Sequence, residues 1–249
     1  MSRRTRYPNE LIAIFADLSY LMFMIIVALI TIIVRILTFI INVIIYYASG
    51  YKKKSKNGLF KTMFNAGVNG EYKLYRKIKK VIDNNNIILN AYIPSDSSSV
   101  ENAEIDLIAV TNKYIYCFEM KNYKGTIYGS REDLQWTQYL NRNRKYQFYN
   151  PIRQNEGHIK AILKCLDEER NNILPVVVFS NKANIKNATS RGVIKLREVK
   201  KYITEYEERS SDVFSNEEVT EFVTKLNQYA DVISDVKRQH INDVRGIKR

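Results

Sequence analysis

The sequence predicts an α/β fold, a mixed central sheet flanked by helices, with an N-terminal transmembrane helical segment. Three observations predict it. Between Leu18 and Ala48 the chain is apolar and holds one charged residue, Arg35. Three apolar runs of strand length then follow one another, and a fourth comes after a helical pattern, an order that gives a sheet with helices packed on it. Hydrophobic residues are 45% of the chain and charged residues 26%, which is the composition of a globular protein.

The apolar segment 18–48 is longer than the roughly 20 residues that one membrane-spanning helix needs. Two interpretations fit this excess. Either one helix crosses at about residues 18–40 and continues along the interface with Arg35 snorkelling, or two short segments form a hairpin. A hydrophobic hairpin buried in a soluble core is a third alternative. The length of the segment, and the lack of a small-residue cleavage site after it, argue against a signal peptide.

Basic residues flank this segment on both sides. Arg3, Arg4 and Arg6 precede it, and the cluster Lys52–Lys56 follows it with no acid before residue 69. The positive-inside rule therefore predicts a cell-membrane protein whose C-terminal domain is cytoplasmic. The formal charge of +13 indicates an anionic partner, and we expect the Lys52–Lys56 cluster to contact lipid head groups.

The remaining elements follow from periodicity and turn residues. Asn150 and Pro151 are a good N-cap and first helical residue, and the polar, aromatic stretch after Gly125 is a further hairpin or a loop across a site. The predicted helices are 69–82, 151–169, 196–207 and 216–237, and the predicted strands are 87–93, 104–111, 114–121, 174–180 and a short one at 192–196. The predicted divisions are a basic tail (1–17), the transmembrane segment (18–48), a basic juxtamembrane linker (49–68), a core (69–182), and a strand with helices packed on the core (183–249).

The two strands 104–111 and 114–121 carry charge in otherwise buried sequence. If Asn112 and Lys113 are the central turn residues, Asp106 lies opposite Glu119 and Glu104 opposite Lys121, all on one face. The other face, which includes Ile105 and Leu107, is apolar. Opposed carboxylates repel, and a divalent cation removes the repulsion. Oxygen ligands at this spacing suit Mg²⁺ or Mn²⁺. The alternative is a strand end where Glu104 pairs with Lys121 and Asp106 is solvated.

Four blocks of the sequence carry a family resemblance. "NGEYKLYRKIKKVI", "AEIDLIAV", "YIYCFEMKNYKGTIYG" and "NPIRQNEGHIKAIL", in this order and spacing, resemble the nuclease-related domain NERD over about residues 66–180. That family belongs to the PD-(D/E)XK, restriction-endonuclease-like superfamily. The family pattern has a Gly-Glu-Ile-Asp-like run where this chain has Ala103-Glu104, a departure that leaves the acidic residues intact. The resemblance implies metal-dependent hydrolysis of DNA by Asp106, Glu119 and Lys121, with Glu71 and Gln154 as additional polar positions of the active site.

Each of the additional residues also has a plainer interpretation. Glu71 shares the core-facing side of its predicted helix, or is a favourable charge near the helix N-terminus. Gln154 is a site residue or an ordinary polar residue, and His158 is expected to be a packed or surface histidine rather than a base. Trp136 and nearby tyrosines either stack on bases, with Arg142, Arg144 and Lys145 on phosphates, or form a satellite core.

Two functions from different classes therefore remain open. The first is a membrane-anchored, Mg²⁺-dependent nuclease with Asp106 and Glu119 as metal ligands. The second is a non-catalytic, membrane-tethered module that binds nucleic acid or protein on a nuclease fold. The presence of all three of Asp106, Glu119 and Lys121 favours the first function, because a binding module has no need to bury these charged residues.

Overall fold

A computed structural model describes residues 7–95, 102–169, 172–187 and 192–230. The chain divides into two compact units, Met1–Gly50 and Tyr51–Arg249. The predicted mixed α/β class is confirmed, with two mixed sheets where the sequence predicted one.

From residue 7 onward, the first unit is one long helix, α1 (Tyr7–Ala48), followed by a turn. The part from Leu11 to Ala48 is long and apolar enough to cross a membrane, with a mean hydropathy of 2.9 over its most apolar window. The segment holds no Gly or Pro between 18 and 48, so nothing breaks the helix before Gly50, whose φ is +79°. The hairpin alternative is therefore wrong, and the tail predicted at 1–17 is helical from Tyr7 onward.

The second unit begins with two short helices, α2 (Tyr51–Ser55) and α3 (Leu59–Phe64). The segment predicted as a linker is thus largely helical. The next helix, α4 (Ala66–Ile78), begins earlier than predicted because the Asn65 side chain caps it by accepting the Val68 N–H at 3.1 Å.

The larger sheet has five strands: β1 (Ile87–Pro94), β2 (Asn102–Val110), β3 (Ile115–Lys121), β7 (Ile173–Phe179) and β9 (Val193–Lys195). Their order across the sheet is β1-β2-β3-β7-β9. Strands β1, β2 and β3 pair antiparallel with one another, whereas β7 lies parallel to β3 and β9 parallel to β7. This mixture is what the sequence order of hairpin, helix and strand predicted.

The smaller sheet has four strands: β4 (Gly125–Tyr128), β5 (Gln135–Asn141), β6 (Arg144–Tyr149) and β8 (Ala183–Lys186). Their order is β6-β5-β4-β8, where β4, β5 and β6 are antiparallel and β8 is parallel to β4. Of the two alternatives for the stretch after Gly125, the hairpin is confirmed, whereas β8 was not predicted. Strands β3 and β7, which are neighbours in the larger sheet, lead within a few residues into β4 and β8, which are neighbours in the smaller one.

Three further helices lie in the described part of this unit: α5 (Pro151–Leu166), α6 (Val199–Arg209) and α7 (Asn216–Asn227). The predicted start of α5 is confirmed, because the Asn150 side chain accepts the Ile152 N–H at 2.9 Å. Helix α7 begins as predicted, with a capping box from Ser215, and ends at Asn227. Residues 231–237 of its predicted length lie outside the described residues.

Helices cover both faces of the larger sheet. Helices α5 and α7 pack on one face, where Ile162 and Leu226 join a cluster with Ile108 and Cys117 of the strands. Helix α4 contacts β2 and β3 from the side that carries Met120. The smaller sheet packs its inner face on β7 and the start of α5, around Trp136.

Candidate active site

The hairpin of β2 and β3 has the predicted register. The Thr111 N–H donates to the Tyr114 carbonyl at 2.9 Å, and the paired residues run from Val110–Ile115 to Leu107–Phe118. Beyond that pair the ladder stops. Here a side chain replaces the backbone as the acceptor, because Asp106 Oδ2 accepts the Met120 N–H at 2.7 Å. The two strands therefore separate at the point where the acidic residues occur.

The predicted division of faces is wrong at this end of β2. Ile105 was expected on the face opposite Ile108, yet both belong to the cluster under α5 and α7. The side-chain alternation of β2 thus changes phase between them. At the same level, Asn90 of β1 has a φ of +53°, and the β1–β2 pairing skips it opposite Asp106. Strict alternation from the turn could not predict this irregularity.

Lys121 lies between an acid and an amide. Its Nζ is 2.5 Å from Glu119 Oε1 and donates to Gln154 Oε1 at 3.0 Å. Burial lowers the pKa of Lys121, but Glu119 and Asp106, with a smaller effect of Tyr123, together outweigh burial. The net pKa is raised, so the amine stays protonated at neutral pH. The pair predicted between Lys121 and Glu104 does not form. Glu104 instead accepts a hydrogen bond from Tyr92 on β1.

Glu119 has one carboxylate oxygen engaged and one available. The residue is 3% exposed, and within the described part of the chain its Oε2 accepts no hydrogen bond. His158 Nδ1 lies 3.6 Å from Oε2. His158 is buried, as one of the two expected alternatives stated, and it lies one helical turn after Gln154 on α5. That helix therefore places His158 beside Glu119 and Gln154 beside Lys121.

Glu71 reaches this cluster because α4 lies close to β3. The preceding residue is Gly70, and a Cβ there would lie 2.8 Å from the Cβ of Asn122. Burial raises the pKa of Glu71, the charges of Glu104 and Glu119 raise it too, and Lys61 opposes them, so that the resulting pKa is about 7. The first turn of α4 contains no acid, so Glu71 is not a charge at the helix N-terminus.

Asp106 is subject to the same crowding. Burial raises its pKa well above the usual range, and the charges of Glu119 and Glu71 raise it again. Lys121 and the Met120 N–H act in the opposite direction without cancelling this effect. All five predicted site residues are therefore close enough to interact, directly or electrostatically, and three carboxyl groups share the one amine of Lys121.

The donors fit a hard cation with few protein ligands. Carboxylate oxygens are what Mg²⁺ and Mn²⁺ prefer, and Mg²⁺ commonly binds through one or two carboxylates with waters and substrate phosphate completing the shell. The unbonded Glu119 Oε2 is a buried acceptor that such an ion would satisfy. Among the residues that the structure describes, no three His, Cys, Asp or Glu side chains form a ligand cluster. Asp106 and Glu119 are accordingly the two candidate ligands.

One supporting residue was missed by sequence reasoning. Asn155 is fully buried on α5; its Nδ2 donates to the Cys117 carbonyl at 2.9 Å, and its Oδ1 accepts from Cys117 Sγ at 2.9 Å. These two bonds fix α5 to β3 two residues before Glu119. The signal in the sequence was an amide between the apolar positions Ile152 and Ile159, which is too common to be selective.

Trp136 is a core residue, as the satellite-core alternative stated. It is fully buried, it stacks on Phe179 at an interplanar angle of 4°, and its Nε1 donates to the Ser130 carbonyl at 2.8 Å. It therefore presents no ring face to a base. The three basic residues near it, Arg142, Arg144 and Lys145, are exposed on the hairpin of β5 and β6.

Comparisons with known proteins identify a family that the second unit resembles. Residues 66–180 match the family model of NERD, the nuclease-related domain, which confirms the resemblance carried by the four sequence blocks. An uncharacterized protein of Bacillus anthracis is 30% identical over 146 residues, a match that covers 57% of this chain and 66% of that protein. No solved structure matches.

Proposed function

We propose, from the premise that residues 66–180 form a nuclease-related domain, that the protein is a membrane-anchored nuclease that hydrolyses phosphodiester bonds in DNA with Mg²⁺ or Mn²⁺. The observation that supports this proposal is the cluster of Asp106, Glu119 and Lys121, which lies where β2 and β3 stop pairing. It combines two acids whose charges oppose each other, a buried carboxylate oxygen without a hydrogen bond, and a protonated lysine.

The roles of the residues follow from their contacts. Asp106 and Glu119 would hold the cation, which when bound polarises the phosphodiester and lowers the pKa of an attacking water. Lys121, held by Glu119 and Gln154, presents a fixed positive charge toward the negative charge that develops on phosphate. Glu71 is protonated over part of the physiological pH range and adds a second acid near Asp106.

The membrane anchor is the second part of the proposal. Helix α1 has the length and composition of a spanning helix, and the lysines after it support a cytoplasmic location for the nuclease domain. Residues 18–48 and the Lys52–Lys56 cluster are the proposed lipid contacts, with anionic head groups attracted to the lysines.

A non-catalytic binding module is the alternative function. Two observations favour it: Lys121 already occupies one oxygen of Glu119, and the described residues offer no three-ligand cluster. Such a module would bind nucleic acid and leave it intact.

The full-length protein in detergent micelles, incubated with plasmid and single-stranded DNA and either Mg²⁺ or Mn²⁺, separates the two functions. We expect cleavage that EDTA abolishes, and a fall of at least about 100-fold in the variants Asp106→Ala and Glu119→Gln. Glu221→Gln is the matched control, because this acid is exposed on α7 and pairs with Lys225. Equal activity in the unaltered protein and all three variants, or no metal-dependent cleavage, would reject the proposal that the protein is a nuclease.

A further inference from the structure

The outer face of the smaller sheet is not part of the active site described above. On the inner face, Ile127, Trp136 and Phe148 belong to the cluster against β7 and α5. Since side chains alternate along a strand, the residues between these point outward. Tyr128 is 43% exposed, and Tyr139 is 38% exposed.

The register orders this outer face into two rows. One row runs across β6, β5, β4 and β8 as Lys145, Tyr139, Thr126 and Asn184. The next row runs across the same strands as Gln147, Thr137, Tyr128 and Lys186. The two tyrosines therefore occupy the two central strands, and a lysine lies at each edge of the sheet.

The tyrosine rings form one surface. Tyr128 and Tyr139 meet edge to face with centroids 5.5 Å apart. They line a depression of about 640 Å³ that extends to Arg142 at the hairpin tip. Three strand spacings of ~4.8 Å separate β6 from β8, and the rows of Lys145 and Lys186 are two residues, about 6.7 Å, apart along the strands. The two lysine positions are therefore about 16 Å apart.

The charge of this face has one sign. None of the four strands contains Asp or Glu, whereas the outer face carries the exposed Lys145 and Lys186, with the exposed Arg142 at the hairpin tip. An acidic or phosphate-bearing partner is therefore favoured over a basic one. Aromatic rings at the centre with cations at both edges are the arrangement that binds unpaired bases by stacking and their phosphates by charge. A duplex hides its base faces and offers the rings nothing to stack on.

The position of the sheet along the chain connects it to the cluster of Asp106, Glu119 and Lys121. Lys121 is the last residue of β3, and β4 begins four residues later at Gly125. The Ser180 N–H, after β7, donates to the Lys121 carbonyl at 3.1 Å, and β8 starts at Ala183. The smaller sheet thus continues directly from the strand end that holds the candidate catalytic lysine.

We infer that the outer face of the smaller sheet, with Tyr128 and Tyr139 at its centre, binds single-stranded nucleic acid and delivers it to the carboxylate cluster. This inference rests on the proposed function and narrows its substrate class to unpaired strands.

Fluorescence anisotropy of a labelled oligo-dT, with full-length protein in micelles and EDTA present, measures binding without cleavage. We expect Tyr139→Ala to weaken binding about tenfold or more, and Tyr139→Phe to retain it, because stacking needs the ring and not the hydroxyl. Lys145→Gln should lower the slope of log affinity against log salt by about 0.7. Unfolding followed by circular dichroism checks that each variant is folded.

Tyr146→Ala is the matched control. Tyr146 is an exposed tyrosine, 53% accessible, on the same hairpin, but its partner Gln138 and its position between Lys145 and Gln147 put it on the other side of the strand. We expect it to bind oligo-dT as the unaltered protein does. Equal weakening in Tyr146→Ala and Tyr139→Ala, a preference for duplex, or no binding of oligo-dT would overturn the inference.

Failure of the inference and failure of the proposed function give different results. If oligo-dT binds through Tyr139 but metal never produces cleavage, the nuclease is rejected and the binding face stands. If DNA is cut through Asp106 while Tyr139→Ala changes neither binding nor cleavage, the face is rejected and the nuclease stands.

Discussion

The two sheets of the second unit place their polar side chains in different settings. The larger sheet has helices on both faces, and its charged side chains gather where β2 and β3 stop pairing, with Glu119 only 3% exposed. The smaller sheet buries one face around Trp136 and leaves the other to solvent. Charge in the first setting is crowded and carries shifted pKa values, whereas Lys145 and Lys186 in the second are exposed. Buried carboxyl groups with shifted pKa values are typical of catalytic sites, whereas an exposed basic face is typical of a binding surface for anionic partners.

The largest predicted effect is the difference in the free energy of unfolding between variants on the two faces of the smaller sheet. Trp136→Ala removes a fully buried ring that stacks on Phe179, and we expect it to lower the free energy of unfolding by about 3–5 kcal/mol. Tyr139→Ala, on the other face of the same strand, should cost less than about 1 kcal/mol. Urea unfolding of the full chain in micelles, followed by circular dichroism, measures both. Similar losses would mean that Tyr139 is structural and not a binding residue.

The sequence predicted best where one pattern acts over short range. The register of β2 and β3 follows from a two-residue turn at Asn112 and Lys113 and is observed as far as Leu107 and Phe118. One residue beyond, the predicted pairing of Asp106 with Glu119 is not part of the ladder, but Glu119 is the charge that acts most strongly on Asp106. The start of α5 follows from Asn150 and Pro151. In both cases the residues that determine the geometry lie within a few positions of one another.

The parts that were missed depend on partners distant in sequence. Strand β8 is four residues long, and it is a strand because β4 lies beside it almost 60 residues earlier. The phase change in β2 coincides with the left-handed Asn90 on β1. The position of Asn155 against the Cys117 carbonyl depends on how α5 packs on β3. Local pattern contains no information about such pairings.

A second prediction concerns the crowded carboxylates. Burial and the acids Glu104 and Glu119 raise the pKa of Glu71 from 4.5 to about 7. A carboxyl group whose pKa is raised by folding contributes its full stabilisation at a pH below its pKa in the unfolded state. This stabilisation is lost as the pH rises through its pKa in the folded state. Between pH 4.5 and pH 7 the free energy of unfolding of the metal-free protein should therefore fall by about 3 kcal/mol because of Glu71. Asp106 acts with the same sign.

The variant Glu71→Gln isolates this contribution. In EDTA it should be more stable than the unaltered protein at pH 8, and the advantage should vanish near pH 4.5. The single tryptophan, Trp136, reports unfolding of this unit by fluorescence. A stability difference that is the same at both pH values would mean that Glu71 is not crowded by the acids of β2 and β3.

The smallest effect tests whether a cation relieves that crowding. A ligand that binds only the folded state stabilises it by RT ln(1 + [L]/Kd), so about 10 mM Mg²⁺ acting on a site with a Kd of ~1 mM contributes roughly 1.4 kcal/mol. The stabilisation should be larger at pH 8 than at pH 5, because protons compete with the metal for Asp106, whose pKa is raised. Thermal unfolding followed by Trp136 fluorescence measures it. Asp106→Asn should abolish the shift and Glu221→Gln should retain it, because only the first of these acids borders Glu119. A Mg²⁺ shift that survives Asp106→Asn would place the cation elsewhere and leave the two carboxylates as a structural pair.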